Sequence, residues 1–424
     1  MTKVHFITQG CSANRADSEQ MAGLLKEAKF EIIDNLEEAD VVIINSCTVK
    51  SPTENAFFKQ LEEIKEEYPY KMIIIAGCIA QTERKLLKKY SLIGTKQIHN
   101  IVEVVEETLN DNVVKMLEMG EMPPLKLPRV RKNPIVEIIP ISRGCLGYCT
   151  FCKTRSARGN LVSYSIEEIK LQLRKALMQG VKEVWLTSQD CGCYGFDIGT
   201  DLADLLEELV RVEGNYRIRI GMMNPDHLLK IKDKLLKVFK SEKIFKFLHL
   251  PLQAGNDQVL EDMKRPYKAK DFEDLIKDFR RYFPRITIAT DIIVGFPGET
   301  EQQYWDTLSM VKRTTPDAIN ISRFWPRPKT PAAEMKNQVE GGEIKRRSRV
   351  LADIFNNIAQ MQNEKFLGHE VSVLIDDRGK EESWIGRTNE YKQVVLKGEF
   401  TLGQRVKVRV KNIGPWDLRG DVVD

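Results

Sequence analysis

Short apolar runs and helically spaced apolar positions alternate along the first 110 residues of the chain. Runs at 4–8, 41–45 and 72–76 read as strands buried on both faces. Each precedes a stretch with apolar positions three and four apart, at about 17–30, 53–67 and 83–90. Strand–helix units of this length predict an open, doubly wound α/β sheet. Residues 121–134 then hold four prolines and no periodicity, the composition of a semi-stiff linker. A second series follows, with strands expected at 136–141, 183–187, 217–221, 247–251, 287–295 and 318–323 and helical stretches between most of them. Six such units predict a partial (β/α)6 barrel whose active site lies at the strand C-terminal ends. A long charged helix at about 342–366 leads to a short, strand-rich tail. The expected units are 1–120, the linker 121–134, 135–360 and 361–424.

The tail contains a strict alternation, Arg405-Val406-Lys407-Val408-Arg409-Val410-Lys411, which gives a strand one valine face and one cationic face. From residue 363 onward eleven Lys/Arg meet eleven Asp/Glu, so the basic stripe is local. A charged edge strand or a phosphate contact would both account for it. For the whole chain of 424 residues the net charge is +4, too small to announce nucleic acid by itself. No apolar run reaches 18 residues and the chain opens directly into a strand, so a cytoplasmic protein without a membrane span is expected. Eight cysteines in such a chain read as metal or redox ligands, not as a disulfide framework.

Three of those cysteines, Cys145, Cys149 and Cys152, fall in one short run just past the first expected barrel strand. Zinc sites favour paired cysteines and four ligands, so a three-cysteine run is a poor zinc finger. A four-iron cluster on three thiolates keeps one iron free of protein, open to a substrate or cofactor. Cys11, Cys47 and Cys78 each lie two or three residues beyond a strand end of the first series. Loops after parallel strands gather on one edge of such a sheet, so these three are expected to be neighbours. Singly, each would read as a small buried hydrophobe.

The spacing of Cys145 to Cys152, with Phe151 before the last cysteine, resembles the signature of radical S-adenosylmethionine (SAM) enzymes. The whole chain resembles the methylthiotransferase family within them. Thr8-Gln9-Gly10-Cys11-Ser12-Ala13-Asn14, Asn45-Ser46-Cys47-Thr48-Val49 and Ala76-Gly77-Cys78-Ile79-Ala80-Gln81 look like that family's auxiliary-cluster domain. Gly386-Arg387-Thr388, the 403–411 run and Leu418-Arg419-Gly420-Asp421 look like a TRAM domain, a small RNA-binding β-barrel. After Cys152 this chain has Lys153-Thr154-Arg155-Ser156-Ala157-Arg158-Gly159, where bacterial members usually carry two aliphatics and a proline. That flank, with Trp185-Leu186-Thr187-Ser188-Gln189-Asp190, is similar to the archaeal and eukaryotic branch acting on threonylcarbamoyladenosine in tRNA. Cys191 and Cys193 depart from the family, which usually has small or polar residues there; two incidental thiols near the barrel mouth, or a role in sulfur handling or cluster protection, would account for them.

The resemblance implies two 4Fe–4S clusters, one on Cys145, Cys149 and Cys152 that binds SAM, the other on Cys11, Cys47 and Cys78 that carries sulfur. It implies insertion of a methylthio group at carbon 2 of the modified adenosine 3′ to the anticodon. A tRNA anticodon loop, an electron donor such as a ferredoxin or flavodoxin, and a sulfur source are the implied partners. Phe151, Ser188, Gln189, Asp190, Asn224, Gln253 and Asp291 fall where family motifs touch SAM or substrate. Lys345 and Arg346, at the start of the long helix, and Arg405, Lys407 and Arg409 are candidate RNA contacts. Isopentenyladenosine in tRNA or a ribosomal-protein aspartate are alternative substrates that the Lys153-Thr154-Arg155 flank argues against. A non-catalytic iron–sulfur RNA-binding protein is the alternative of another class, which the open-iron spacing disfavours.

Overall fold

Runs of β-branched residues build the first sheet. In the computed structural model, which describes residues 1–48 and 51–423, β3 (Val41–Ser46) is buried at all six positions. It lies between β1 (Lys3–Gln9) and β4 (Met72–Ala76). With β2 (Glu31–Ile33), β5 (Ser91–Ile93) and β6 (Lys115–Met116) the order is β2-β1-β3-β4-β5-β6, parallel throughout. The expected doubly wound sheet is therefore present, with three short strands that the apolar runs did not disclose. Its direction of winding reverses between β1 and β3, and ligand sites of such sheets form beyond that point. Cys11, Cys47 and Cys78 follow the ends of the three adjacent strands β1, β3 and β4.

Two helices differ from expectation. The first, α1 (Ser12–Glu27), starts directly after Cys11 and not near residue 17. Its buried face includes Asn14, Asp17, Ser18, Glu19 and Gln20, so apolar spacing alone conceals its first turns. The stretch 83–90, read as a helix, consists mainly of turns, and the helix there is Cys78–Thr82. Leu87 alone is buried between 84 and 89, so that stretch has no apolar face with which to dock a helix. Val49, in the Cys47 motif, lies outside the described residues.

The second series forms two three-stranded parallel sheets. β7 (Val136–Pro140), β10 (Glu183–Thr187) and β11 (Arg217–Ile220) make one, and β12 (Phe247–His249), β13 (Thr287–Val294) and β14 (Ala318–Arg323) make the other. An Ile218–Ile244 bridge sits where they adjoin, and β8 (Ser142–Arg143) pairs with β9 (Val162–Ser163) over the first cysteine loop. Val184, Leu186, Ile218 and Ile220 pack outward into the largest apolar core. Alternation therefore turns Glu183, Trp185, Thr187, Arg217 and Arg219 to the inner face. Ala16 of α1 packs with Ile138 and Trp185, so α1 covers part of that face.

The tail closes on itself as a five-stranded barrel, β15 (Glu370–Arg378), β16 (Ser383–Thr388), β17 (Gln393–Lys397), β18 (Arg405–Ile413) and β19 (Leu418–Val423). Its β16–β17 turn enters the base of the large barrel. Tyr391 packs 4.8 Å from Phe245 and 5.1 Å from Phe247, and its hydroxyl donates to Glu183 Oε1 at 3.1 Å. Lys392 pairs with Asp317 at 2.7 Å, and Lys246 N–H donates to the Asn389 carbonyl at 2.8 Å. Among the described residues no helix is long and apolar enough to cross a membrane.

The proline-rich segment lies against α1, where Val130 N–H donates to the Glu19 carbonyl at 2.9 Å. The Glu19 carboxyl accepts from Lys132 N–H at 3.2 Å through Oε1, while Oε2 is buried without a partner. Burial raises Glu19 to about 7, against the pull of the Lys132 amide. A carboxyl so raised takes up a proton on folding, so its contribution is favourable at low pH and fades as pH rises toward 7. Glu19→Gln, which keeps the shape without the charge, is expected to melt about 2–4 °C above the parent at pH 8 and level with it at pH 5. Differential scanning calorimetry at the two pH values checks this; equal midpoints at pH 8 would contradict it.

Candidate active site between two cysteine triads

Each sulfur of the Cys145–Cys152 loop receives hydrogen bonds from the chain. Gly147 N–H reaches Cys145 Sγ at 3.2 Å, Thr154 N–H reaches Cys152 Sγ at 3.3 Å, and Arg265 Nη1 reaches Cys149 Sγ at 3.3 Å. Such donors favour sulfur carrying negative charge. Position 147 lies between two thiols, since a Cβ there would be 3.4 Å from Cys145 Sγ and 3.7 Å from Cys149 Sγ. Burial, opposed by the Gly147 amide, pushes Cys145 up to about 12, and burial also raises Cys152. Without a metal, Cys145 and Cys152 are thus held as thiols. A cleft of about 670 Å³ runs beside this loop, with Cys149, Asn224, His227 and Arg265 in its wall.

The second triad gathers as the strand order requires. Asn14, in the first turn of α1, takes both Cys11 Sγ at 3.6 Å and Cys78 Sγ at 3.9 Å on Oδ1. Gly77, with φ of +84°, makes the turn that brings Cys78 in; a Cβ there would stand 2.1 Å from Asn45 Oδ1. A hydrogen bond from Cys47 lowers the Cys78 thiol to about 6 against burial, helped by the Arg158 guanidinium.

Arg158 belongs to the other half of the site, six residues past Cys152. Its Nη2 donates to Asn14 Oδ1 at 2.9 Å and to Asp17 Oδ2 at 3.0 Å. Asp17 pairs through its other oxygen with Arg143 Nη2 at 2.8 Å, and all three side chains are at most 3% exposed. Lys153–Glu83 at 2.8 Å and Thr95 Oγ1 to the Ala157 carbonyl at 2.8 Å reinforce the joint. Arg327, after β14, donates to the Thr48 carbonyl at 2.6 Å and lies in the field of both Cys152 and Cys47. The two triads therefore share one interface. Arg158, Arg265, Asp17 and Arg327 were not singled out in the sequence as site residues; of these, Arg158 falls inside the quoted run from Lys153 to Gly159.

The other expected contacts distribute as follows. Ser188 Oγ lies 2.6 Å from Ser142 Oγ, and Gln189 Oε1 accepts Gly144 N–H at 2.8 Å, so both brace the cysteine loop. Asp190 is fully buried and accepts from Gly192 N–H, Asn224 N–H and Nδ2, and His227 Nδ1 at 2.6 Å. Despite burial, His227 holds Asp190 below the usual carboxylate range. The other His227 ring nitrogen faces Asp226 Oδ2 at 3.2 Å, and against burial the two carboxylates raise its pKa. Asn224 Oδ1 also receives Arg265 Nη2. Phe151 packs edge-on to Phe296, with ring centroids 6.5 Å apart. Asp291, midway along β13, holds His249 Nε2 at 2.7 Å and Asn320 Nδ2 at 2.9 Å, and Gln253 N–H donates to its carbonyl at 2.8 Å from a backbone with φ of 64°. Cys191 and Cys193 are both buried; burial pushes Cys191 up to about 12 and raises Cys193 as well.

The basic residues divide into two kinds. Arg346 is bound by Glu301 and Glu343, and Arg409 by Glu370 at 2.6 Å. Among the described residues Lys345 and Lys407, both exposed, form no ion pair, while Arg405 is half-buried with Nη2 unpartnered.

Residues 139–311 match the radical SAM superfamily, 3–94 match the uncharacterized protein family UPF0004, and 364–423 match the TRAM domain. A Pyrococcus horikoshii protein named probable threonylcarbamoyladenosine tRNA methylthiotransferase is 41% identical over 100% of both chains. The Homo sapiens threonylcarbamoyladenosine tRNA methylthiotransferase is 39% identical over 99% of this chain and 74% of its own. The fold resembles that of a radical SAM methyltransferase, TsrM from Kitasatospora setae, with TM-score 0.58 at 13% identity over 78% of this chain and 74% of that one.

Removing the shared carboxylate with Asp17→Asn leaves Arg143 and Arg158 buried without a counter-charge. Breaking a buried pair in this way costs about 3–5 kcal/mol. Urea unfolding of the cluster-free protein, followed by far-UV circular dichroism, should show its first transition at markedly lower denaturant. A loss below about 1 kcal/mol would mean that the pair is no more than a surface contact.

Proposed function

The chain belongs to the threonylcarbamoyladenosine tRNA methylthiotransferases, a radical SAM family, and from that membership we propose that it inserts a methylthio group at carbon 2 of N6-threonylcarbamoyladenosine beside the tRNA anticodon. The observation that carries the reading is the meeting of both cysteine triads at one interface, tied by Arg158 and Arg327.

The donor sets suit the groups. Three thiols with N–H and guanidinium donors on their sulfurs, at Cys145, Cys149 and Cys152, fit a 4Fe–4S cluster with one iron left for SAM. We assign a second cluster to Cys11, Cys47 and Cys78, where Asn14 and Arg158 would stand against its sulfur atoms. The clusters with SAM would supply the radical and the sulfur that a C–H bond without an acidic proton demands. The chain's own part is to hold and to cover. Ser142, Ser188 and Gln189 fix the first loop, and Arg265 sets a positive charge at Cys149. α1 covers part of the inner face of β7 and β10.

The RNA would present an unpaired anticodon-loop base, splayed into that space as base-modifying enzymes require. Lys345, Lys407 and Arg405 form no ion pair among the described residues, whereas Arg346 and Arg409 would exchange carboxylates for phosphates. An electron donor of the ferredoxin or flavodoxin type and a sulfur source complete the reaction.

Anaerobic reconstitution with iron counting tests the ligand assignment. About eight irons are expected in the parent and about four in the Cys145/Cys149/Cys152 triple alanine variant. Cys47→Ala should lose the second set of irons and all methylthio product, read by mass spectrometry of tRNA nucleosides, yet still form 5′-deoxyadenosine from SAM. Four irons in the parent, or an active Cys47→Ala enzyme, would refute the two-cluster assignment.

A further inference from the structure

Two guanidinium groups stand between the triads and the barrel base without an ion pair among the described residues, Arg15 lying only in the field of Glu19. Arg219, on the inner face of β11, has its guanidinium carbon 5.0 Å from the Phe247 ring centroid, 5.3 Å from Tyr391 and 5.6 Å from Trp185. Arg15, one turn of α1 beyond Cys11, lies 5.0 Å from the same Trp185 ring. Both are half-buried, and among the described residues neither donates a hydrogen bond or forms an ion pair. Comparable arginines of the joint are all engaged: Arg129 and Arg131 by Glu137, Arg143 and Arg158 by Asp17.

Ring faces attract a cation by about 0.5–2 kcal/mol, but they leave its N–H donors largely unused. The fold thus holds two planar cations in place and assigns them no acceptor. Their location is specific. Trp185 and Arg219 are register partners in β10 and β11, one inner-face layer below Thr187. Thr187 Oγ1 in turn touches Ser12 Oγ at 2.6 Å, directly after Cys11. Arg15 and Arg219 therefore lie behind the space where the reaction would occur, on the side away from the radical SAM loop.

We propose that Arg219 and Arg15 form a carboxylate subsite that receives the threonyl carboxylate of N6-threonylcarbamoyladenosine, so that they select an acidic arm on the adenine N6 over an apolar one. The inference rests on the function proposed above and adds its specificity determinant. An extruded nucleoside brings into the barrel its base and its N6 arm, and the carboxylate is the anion on that arm. A guanidinium fork binds a carboxylate in bidentate fashion, and an ester or an isopentenyl group in its place would leave the fork unpaired. SAM also has a carboxylate, and the test separates the two sources.

The reconstituted holoenzyme is assayed on two anticodon stem-loops, one with threonylcarbamoyladenosine and one with its methyl ester. The parent should favour the acid in kcat/KM by roughly 10- to 100-fold, the range of a hydrogen bond to a charged group. Arg219→Met should lower the acid substrate to the level of the ester and leave the ester nearly unchanged, while Arg219→Lys should restore part of the preference. Arg15→Gln should lower the preference by a smaller factor. The KM for SAM and the yield of 5′-deoxyadenosine without RNA should not move. Equal use of acid and ester by the parent overturns the proposal, as does an equal loss on both substrates in Arg219→Met. A raised KM for SAM in that variant assigns the fork to SAM and overturns it as well. No methylthio product from the parent on either RNA refutes the parent reading itself, a result distinct from product without discrimination.

Discussion

One buried carboxylate holds the halves of the active site together. Asp17 lies on a helix of the amino-terminal sheet, and its two oxygens pair with arginines that flank the radical SAM loop on either side, Arg143 before it and Arg158 after it. Each arginine carries the contact further. Arg143 reaches the Thr95 carbonyl, and Arg158 reaches Asn14 and the thiol of Cys78. The cost of burying three charges is met only in this geometry. A shift of either half by an ångström or two would leave a charge unpaired, so the pair works as a locating pin for the distance between the triads.

The strands of this pin's surroundings were legible because β-branched runs have one dominant use, burial on both faces. The cysteines were legible because three loops of one parallel sheet must open on one edge, a consequence of topology that needs no contact information. The start of α1 was not, since Asn14, Asp17, Ser18, Glu19 and Gln20 are buried by polar partners across an interface that no local pattern encodes. Arg158 was equally obscure: it is one of 65 Lys and Arg, and its role depends on a carboxylate 141 positions away. Asp190 illustrates a different limit. Its place after β10 falls where family motifs touch SAM or substrate, and its oxygens are occupied here by Asn224, His227 and the Gly192 amide. A motif fixes where a residue lies in the fold but not which of several nearby groups it satisfies.

Charge is used in two ways across the barrel. At the joint each arginine has its acid, and the arrangement resists motion. Along the inner face Trp185, Phe247 and Tyr391 surround Arg219 without neutralising it, which keeps a positive field where a substrate arm would enter. The first use is structural and the second leaves capacity for a ligand, although both rest on the same side chain. The exposed cations of the tail show a similar split, with Arg409 committed to Glu370 and Lys407 without an ion pair among the described residues.

The Tyr391 turn changes what the carboxyl-terminal barrel can be in the history of the chain. A module that only grips RNA can be exchanged, doubled or lost with little consequence for its neighbour. This one supplies an aromatic side chain to the floor of another domain, where Phe245, Phe247 and Glu183 depend on it. Recombination at the long helix would therefore separate a wall from its floor. Descent should keep the two barrels linked, with substitutions at residue 391 tracking those at 245 and 247.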